Sequence, residues 1–175
     1  MATTPESLNT TYVNKLLDFN LVRSWKVFDS ITIGKPDSEY IRRDGKRGSV
    51  LKIEYKYIPE LPKRADTLVT PNWQNAVQQQ KLGEYFTCDG NALAVIFVGK
   101  RDAQCIVFLT KDEWDNGLTK AQCEKRLISR RDLAAYITWR VTNGQAGTEP
   151  AFARATDARN QPPEQRTDHG EVALL

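Results

Sequence analysis

The chain has 175 residues, of which 40% are hydrophobic and 27% charged, with a net charge of +3 and a mean hydropathy of −0.54. These values predict one soluble domain with a substantial core, and no apolar run approaches the roughly 20 residues that span a bilayer. We therefore expect no membrane partner. The N-terminus lacks the basic and apolar segments of a secretory signal, so we expect a cytoplasmic protein.

Cysteine and histidine are too sparse for several classes of site. The three cysteines are widely spaced and form no Cys-x-x-Cys pair, which argues against a zinc ribbon or a disulfide framework. The only histidine, His169, lies in a polar stretch near the C-terminus. The sequence therefore argues against a catalytic triad, a Cys-His pair or a histidine-based metal site. Any catalysis should depend on carboxylates, lysines and a hard metal ion.

The first third of the chain predicts a helix and then three strands. A cap, a proline and an acidic residue at 4–6 are typical of a helix start. Asp44-Gly45 is typical of a hairpin turn between two strands. The predicted elements are a helix over about 5–20 and strands over 25–33, 38–43 and 50–57.

The next part of the chain predicts a helix, two strands and then short helices. Thr70-Pro71 repeats the cap-then-proline start, and residues 92–98 form an apolar run typical of a strand buried on both faces. The predicted elements are a loop over 58–69, a helix over 70–87, strands over 92–98 and 105–109, and a last helix ending near Val141. Capping boxes are predicted for Thr110 with Glu113, Thr119 with Gln122, and Ser129 with Asp132.

This order predicts an α/β fold in which a central sheet is flanked by helices. The composition changes after Thr142, where Gly, Pro, Gln and charged residues replace the periodic pattern. We therefore predict a domain over 1–142 and a C-terminal tail over 143–175 that is mobile or becomes ordered on a partner.

Two short motifs on neighbouring predicted strands carry candidate chemistry. Asp37 follows a proline at the start of one strand, and Glu54, Tyr55 and Lys56 lie late in the next. Side chains alternate along a strand, so Glu54 and Lys56 should share a face. Two carboxylates can hold Mg²⁺ or Mn²⁺, the Tyr55 backbone carbonyl is a further possible ligand, and the lysine can orient or deprotonate a water.

These motifs in this element order resemble the PD-(D/E)XK nuclease superfamily over about residues 5–110. The resemblance implies a restriction-endonuclease-like αβββαβ core and a metal-dependent DNA endonuclease. Asp37 and Glu54 would bind the metal, and Lys56 would complete the catalytic set.

Further matches are similar to RecU-type Holliday junction resolvases. Glu6-Ser7-Leu8-Asn9 resembles their first-helix start, and in such families the glutamate can join the metal site. Gln78 falls where the superfamily carries a glutamine near the active site. This resemblance implies a homodimer acting in DNA recombination or repair, in a bacterial or phage-infected cell. The long stalk insertion of those resolvases has no counterpart here, which leaves the junction as substrate open.

Several assignments stay open at this level. Glu6 equally suits a helix N-terminus, where acidic side chains are favoured. The glutamines are equally compatible with solvent exposure, and the sequence does not distinguish among Gln74, Gln78, Gln79 and Gln80.

Basic residues are concentrated in one part of the chain. Residues 42–64 contain eight basic and three acidic side chains, which suits either a polyanion-binding face or a solvated hairpin. The candidate DNA-binding residues are Arg42, Arg43, Lys46, Arg47, Lys63 and Arg64.

Three functions fit the sequence. The leading interpretation is a Mg²⁺- or Mn²⁺-dependent DNA endonuclease, with a Holliday junction resolvase as its most specific form. The second is a restriction-like, nicking or exonucleolytic DNase on linear or single-stranded DNA. The third is a catalytically inactive DNA-binding module with a nuclease fold.

Overall fold

The computed structural model describes residues 4–26, 36–44, 46, 48–71, 76–89, 91–100 and 102–142. The predicted tail over 143–175 lies outside these residues. The elements are α1 (Pro5–Leu16), β1 (Val22–Lys26), β2 (Ser38–Arg42), β3 (Leu51–Ile58), β4 (Leu68–Val69), α2 (Ala76–Asp89), β5 (Ala92–Val98), β6 (Gln104–Phe108), α3 (Lys111–Asn116), β7 (Leu118–Thr119), α4 (Lys120–Lys125) and α5 (Arg130–Val141).

The main sheet has five strands in the order β1-β2-β3-β5-β6. Neighbouring strands are antiparallel except for β3 and β5, which run parallel. The segment between β3 and β5 contains α2, the kind of crossover that a parallel pair requires. The two-residue strands β4 and β7 form a small separate sheet. The predicted α/β class and αβββαβ order are confirmed, and the sheet is mixed with helices on both sides.

The hydrophobic core has two layers, one on each side of the sheet. On one side, α1 and α5 pack against the sheet through residues such as Val13 and Ile137. On the other side, α2, α3 and α4 contribute residues such as Leu82 and Trp114. Both layers include side chains of β5, whose residues are buried except for the partly exposed Val98. The prediction that 92–98 is a strand covered on both faces is therefore confirmed.

Two predicted element boundaries are wrong near the N-terminus. Helix α1 ends at Leu16 rather than near residue 20, because Leu17 is extended and Asp18 organises a turn. The Asp18 carbonyl accepts the amides of Leu21 and Val22, and its carboxylate accepts the amide of Asn20. The next strand therefore begins earlier, at Val22.

Other predicted boundaries differ less or lie outside the described residues. Residues 27–35 belong to the latter group, as do 72–75 at the predicted start of the second helix. The loop predicted over 58–69 contains β4 at its end, because Leu68 and Val69 pair with β7.

The predicted capping boxes are confirmed at two of three helix starts, at Thr119 and at Ser129. Thr110 does cap α3, since its hydroxyl accepts the amide of Glu113 at 3.2 Å. The reciprocal bond is absent from the described contacts of this turn because Glu113 is used elsewhere. Its carboxylate accepts the amide of Leu109 at 2.8 Å and pairs with Arg126 at 2.6 Å.

In the part of the chain that the structure describes, every helix is too short or too polar to cross a membrane.

Candidate active site

The site lies where β2 stops pairing with β3. The ladder between these strands runs from Tyr40 opposite Leu51 to Ser38 opposite Ile53. Strand β3 continues beyond that point, and Asp37 immediately precedes β2. Oδ2 of Asp37 accepts a 3.0 Å hydrogen bond from the backbone N–H of Tyr55. At the end of the ladder, the Asp37 carboxylate therefore accepts the Tyr55 amide, as a backbone carbonyl of β2 would do within the ladder.

Glu54 and Lys56 lie together on the face of β3 that α2 covers. Nζ of Lys56 donates to Oε1 of Glu54 at 2.5 Å. Glu54 is fully buried and Lys56 is only 7% exposed. The expectation that alternation places both side chains on one face agrees with this contact.

Gln78 of α2 closes the site from above the sheet. Its Oε1 accepts a 3.3 Å hydrogen bond from Lys56, and its Nε2 donates to the same Glu54 oxygen. Gln79 instead donates to Asp115, and Gln80 donates to Glu84. Gln78 is therefore the glutamine that contacts the charged pair, while Gln74 lies outside the described residues.

The two carboxyl groups resist ionisation. Burial raises the pKa of Glu54 to about 8, and the nearby charge of Asp37 adds to the effect. Burial also raises the pKa of Asp37, against the opposing effects of the Tyr55 amide and the Lys56 charge. The site therefore favours a bound cation or proton close to these oxygens.

Glu6 at the start of α1 shares the electrostatic field of the site. Burial raises its pKa first and the charge of Asp37 second, while Lys56 and Lys26 act in the opposite direction. The first-helix glutamate thus lies near the candidate carboxylates.

Lys26 is a residue that the sequence interpretation missed. It is the last residue of β1 and pairs in register with Ser38, next to Asp37. Its charge lowers the pKa of both Asp37 and Glu6. The available signal was a lysine in the predicted strand preceding the Asp37 strand, but only the strand register places it beside the carboxylate.

The oxygen atoms at this site suit a hard divalent cation. Oε2 of Glu54 is buried and receives no hydrogen bond from any described residue. The N–H and C=O of one strand residue point to the same side, so the Tyr55 carbonyl points to the side of Asp37. Mg²⁺ commonly uses one or two carboxylates and completes its shell with waters and substrate phosphate.

Side-chain ligands are limited at this site. Within the described ranges, no three Asp, Glu, His or Cys side chains form a group that could hold a metal by themselves. Asp37 and Glu54 are thus the two side-chain candidates, with the Tyr55 carbonyl as a third oxygen. Glu6 contributes charge nearby without completing such a group.

The basic residues of the hairpin lie away from these carboxylates. Arg42 is the last residue of β2, whereas Asp37 precedes its first, a separation of about 16 Å at 3.3 Å per residue. Arg42 also forms a two-pronged pair with Asp44 and donates to the Thr142 carbonyl. Arg43 and Lys46 lie at the same end, and Arg47 is outside the described residues.

Lys63 and Arg64 lie in the loop after β3, beyond the strand end that carries Lys56. Lys63 is exposed, and Arg64 pairs with Asp66 at 2.7 Å with 80% of its side chain exposed. Of the predicted DNA-binding residues, these two have the better position for contacting a phosphate near the site.

Comparison with known proteins adds one similar structure. No family model matches the chain, and no curated protein matches it. Among solved structures, the chain is similar to Hjc from Archaeoglobus fulgidus, a Holliday junction resolvase from an archaeal hyperthermophile. The identity is 16% and the TM-score 0.41, over 66% of this chain and 88% of that one.

Proposed function

We propose that this protein is a Mg²⁺- or Mn²⁺-dependent DNA endonuclease that hydrolyses phosphodiester bonds. One observation carries the proposal: Asp37, Glu54 and Lys56 converge at the end of the β2–β3 ladder, where Gln78 contacts the charged pair. A buried ion pair is weak support for a purely structural role, since apolar replacements are often as stable. Perturbed carboxyl groups beside a buried lysine are typical of functional sites.

Each side chain has a chemical role in this proposal. Asp37, Glu54 and the Tyr55 carbonyl would hold the metal, which lowers the pKa of a bound water and offsets charge on the phosphoryl group. As an ammonium, Lys56 would orient the attacking water and oppose the negative charge that develops on phosphate, whereas only its neutral amine form would accept the proton of that water. Gln78 holds the Lys56 ammonium and the Glu54 carboxylate in one arrangement.

The decisive experiment compares two lysines on the same face of β3. Lys56→Ala should reduce cleavage of plasmid and branched DNA by at least about a hundredfold, in the range of a lost general acid–base group, while DNA binding persists. Lys52→Ala is the matched control, because Lys52 lies four residues earlier and interacts with Tyr85 and Glu39. Equal cleavage by both variants and the wild type would rule the proposal out.

We further propose that the substrate is branched DNA and the acting species a homodimer, as the resemblance of the Glu6 segment to RecU-type resolvases implies. Paired cuts at a four-way junction need two sites, which a two-fold dimer supplies.

Cleavage rates on four-way, flap, nicked, linear and single-stranded DNA distinguish a resolvase from a restriction-like or exonucleolytic enzyme. Mass measurement in solution gives the oligomeric state. Loss of every cleavage activity with DNA binding intact would favour an inactive binding module.

A further inference from the structure

A groove opens beside the candidate active site on the α1 side of the sheet. It encloses about 510 Å³ and lies between α1, the start of α5 and the ends of β3 and β5. Its wall includes Pro5, which directly precedes Glu6, and Tyr57, which follows Lys56 but faces the opposite side of β3. Glu6 shares the electrostatic field of Asp37 and Lys56, so the end of the groove at Pro5 lies near the candidate active site.

The charge of the groove is of one sign. Among the residues that the structure describes, Lys15, Lys100 and Arg130 line it, and no aspartate or glutamate does. Three cations without a lining anion suit a chain of phosphates, because each phosphate contact adds affinity in a salt-dependent way.

The groove also presents an aromatic ring to solvent. Tyr12 is 47% exposed, and the guanidinium of Arg130 lies 4.0 Å from the centre of its ring. Arg130 is anchored in turn by a 3.0 Å hydrogen bond to the side chain of Asn9, whose amide donates to the Pro5 carbonyl. The ring is thus held in place on one side while nearly half of its surface stays accessible.

Apolar surface continues along the same helix. Leu8 lies one turn before Tyr12, lines the groove and is 58% exposed. Duplex DNA presents mainly its charged backbone to a basic surface, and its bases stay stacked inside. Unpaired bases can instead stack on aromatic side chains and on arginine.

We propose that this groove, lined by Tyr12, Lys15, Lys100 and Arg130, binds an unpaired segment of single-stranded DNA beside the scissile phosphate. A base stacks on Tyr12, and the flanking phosphates contact the lysines. This inference rests on the proposed nuclease function and names the form of DNA that the site receives. The inference requires the nucleotides next to the cut to be single-stranded, whether they belong to a junction, a flap or a free end.

The test measures binding by fluorescence anisotropy in EDTA, so that cleavage plays no part. The probes are an oligothymidylate and a blunt duplex of equal length, with the full-length protein. Tyr12→Ala should weaken oligothymidylate binding about tenfold, the loss expected when one base no longer stacks on an aromatic ring. Duplex binding should change much less. Lys100→Ala should lower the salt dependence of single-strand binding by about 0.7 in the log–log slope, the value for one phosphate contact.

Matched variants keep this test independent of folding. Tyr12→Phe retains the ring and should bind like the wild type, while Tyr12→Leu retains apolar bulk and should not. Lys125→Ala is the charge control, because Lys125 is exposed on α4, on the other side of the sheet. Circular dichroism checks that each variant folds.

The outcomes separate this inference from the nuclease proposal. Wild-type affinity for oligothymidylate in Tyr12→Ala, or no oligothymidylate binding by the wild type, would overturn the groove assignment alone. Full cleavage by Lys56→Ala, with loss of single-strand binding in Tyr12→Ala, would overturn the nuclease mechanism and leave the groove assignment standing.

Discussion

Asp37 and Tyr55 are joined by a side-chain-to-backbone hydrogen bond of 3.0 Å that closes the end of the β2–β3 ladder. The same carboxylate is a candidate metal ligand. Asp37 therefore has two separable roles, because the hydrogen bond needs an acceptor oxygen and metal binding needs the negative charge.

Substitutions at Asp37 should separate these roles. Asp37→Asn keeps an acceptor for the Tyr55 amide and should fold with near wild-type stability, but it should lose Mn²⁺ binding and cleavage. Asp37→Ala should lose both and also be destabilised by about 1–3 kcal/mol, the cost of an unpaired amide. Thermal unfolding with isothermal titration of Mn²⁺ measures the two effects. Unchanged Mn²⁺ affinity in Asp37→Asn would contradict the ligand role.

Gln78 and its neighbour Gln79 offer a matched pair for testing how the lysine is held. Gln78→Leu removes the contacts to Glu54 and Lys56 and should reduce the cleavage rate about tenfold or more, with a smaller effect on DNA affinity. Gln79→Leu removes only a surface contact to Asp115 and should cleave normally. Single-turnover cleavage rates provide the comparison. Equal rates for the two variants would contradict a positioning role for Gln78.

The pKa of Glu54 should make the stability of the metal-free protein depend on pH. The group keeps its proton to about pH 8 in the folded chain, whereas its ordinary pKa is 4.5. Between these values the folded state binds more protons than the unfolded state, so the free energy of unfolding falls as pH rises. This stabilising contribution is complete below 4.5 and is gone above about 8.

The measurement is urea denaturation from pH 5 to pH 9 in the presence of a chelator. Glu54→Gln cannot titrate and should lack the Glu54 part of the decline, leaving the smaller contributions of Asp37 and Glu6, whose pKa values are also raised. Parallel stability curves for the variant and the wild type would show that Glu54 ionises normally.

A buried hydroxyl chain on the other side of β3 should contribute to stability without affecting chemistry. The Tyr40 hydroxyl donates to Asn14 at 2.9 Å and lies 2.7 Å from the Tyr55 hydroxyl, which then acts as the donor to Tyr40. Tyr40→Phe leaves both neighbours without this partner and should destabilise the protein by about 1–3 kcal/mol.

Tyr57→Phe is the control for this variant, since Tyr57 lies on the same face of β3 and is only partly buried. Its change in stability should stay within about 0.5 kcal/mol. Chemical denaturation measures both, and an equal change in the two variants would contradict the importance of the hydroxyl chain.

The sequence predicted correctly those features that are determined by residues close together in the chain. The apolar run of β5, the alternation along β3 and the caps at Thr119 and Ser129 depend on side-chain burial or on contacts within one turn. The proximity of Glu54 and Lys56 follows from that alternation alone.

The remaining features depend on tertiary contacts. Three consecutive glutamines have the same helix propensity, so only the docking of α2 selects Gln78 for the site. Glu113 does not complete its capping box because its carboxylate pairs with Arg126, which lies 13 residues further along the chain. The basic stretch seemed to surround the active site, yet a strand of five residues carries Arg42 away from Asp37.

Because side chains alternate along β3, one face of the strand contributes to the hydrophobic core and the other carries the polar groups of the candidate site. Leu51, Ile53 and Tyr55 fill the core on one face of the sheet, while Glu54 and Lys56 direct their polar groups toward α2 on the other. Glu54 and Lys56 are buried but lie outside the two hydrophobic clusters, and Glu54 is costly to ionise where it lies. Apolar replacements of both Glu54 and Lys56 would therefore abolish the proposed activity but leave the core residues of β3 in place. A relative with such replacements would be inactive and at least as stable toward unfolding.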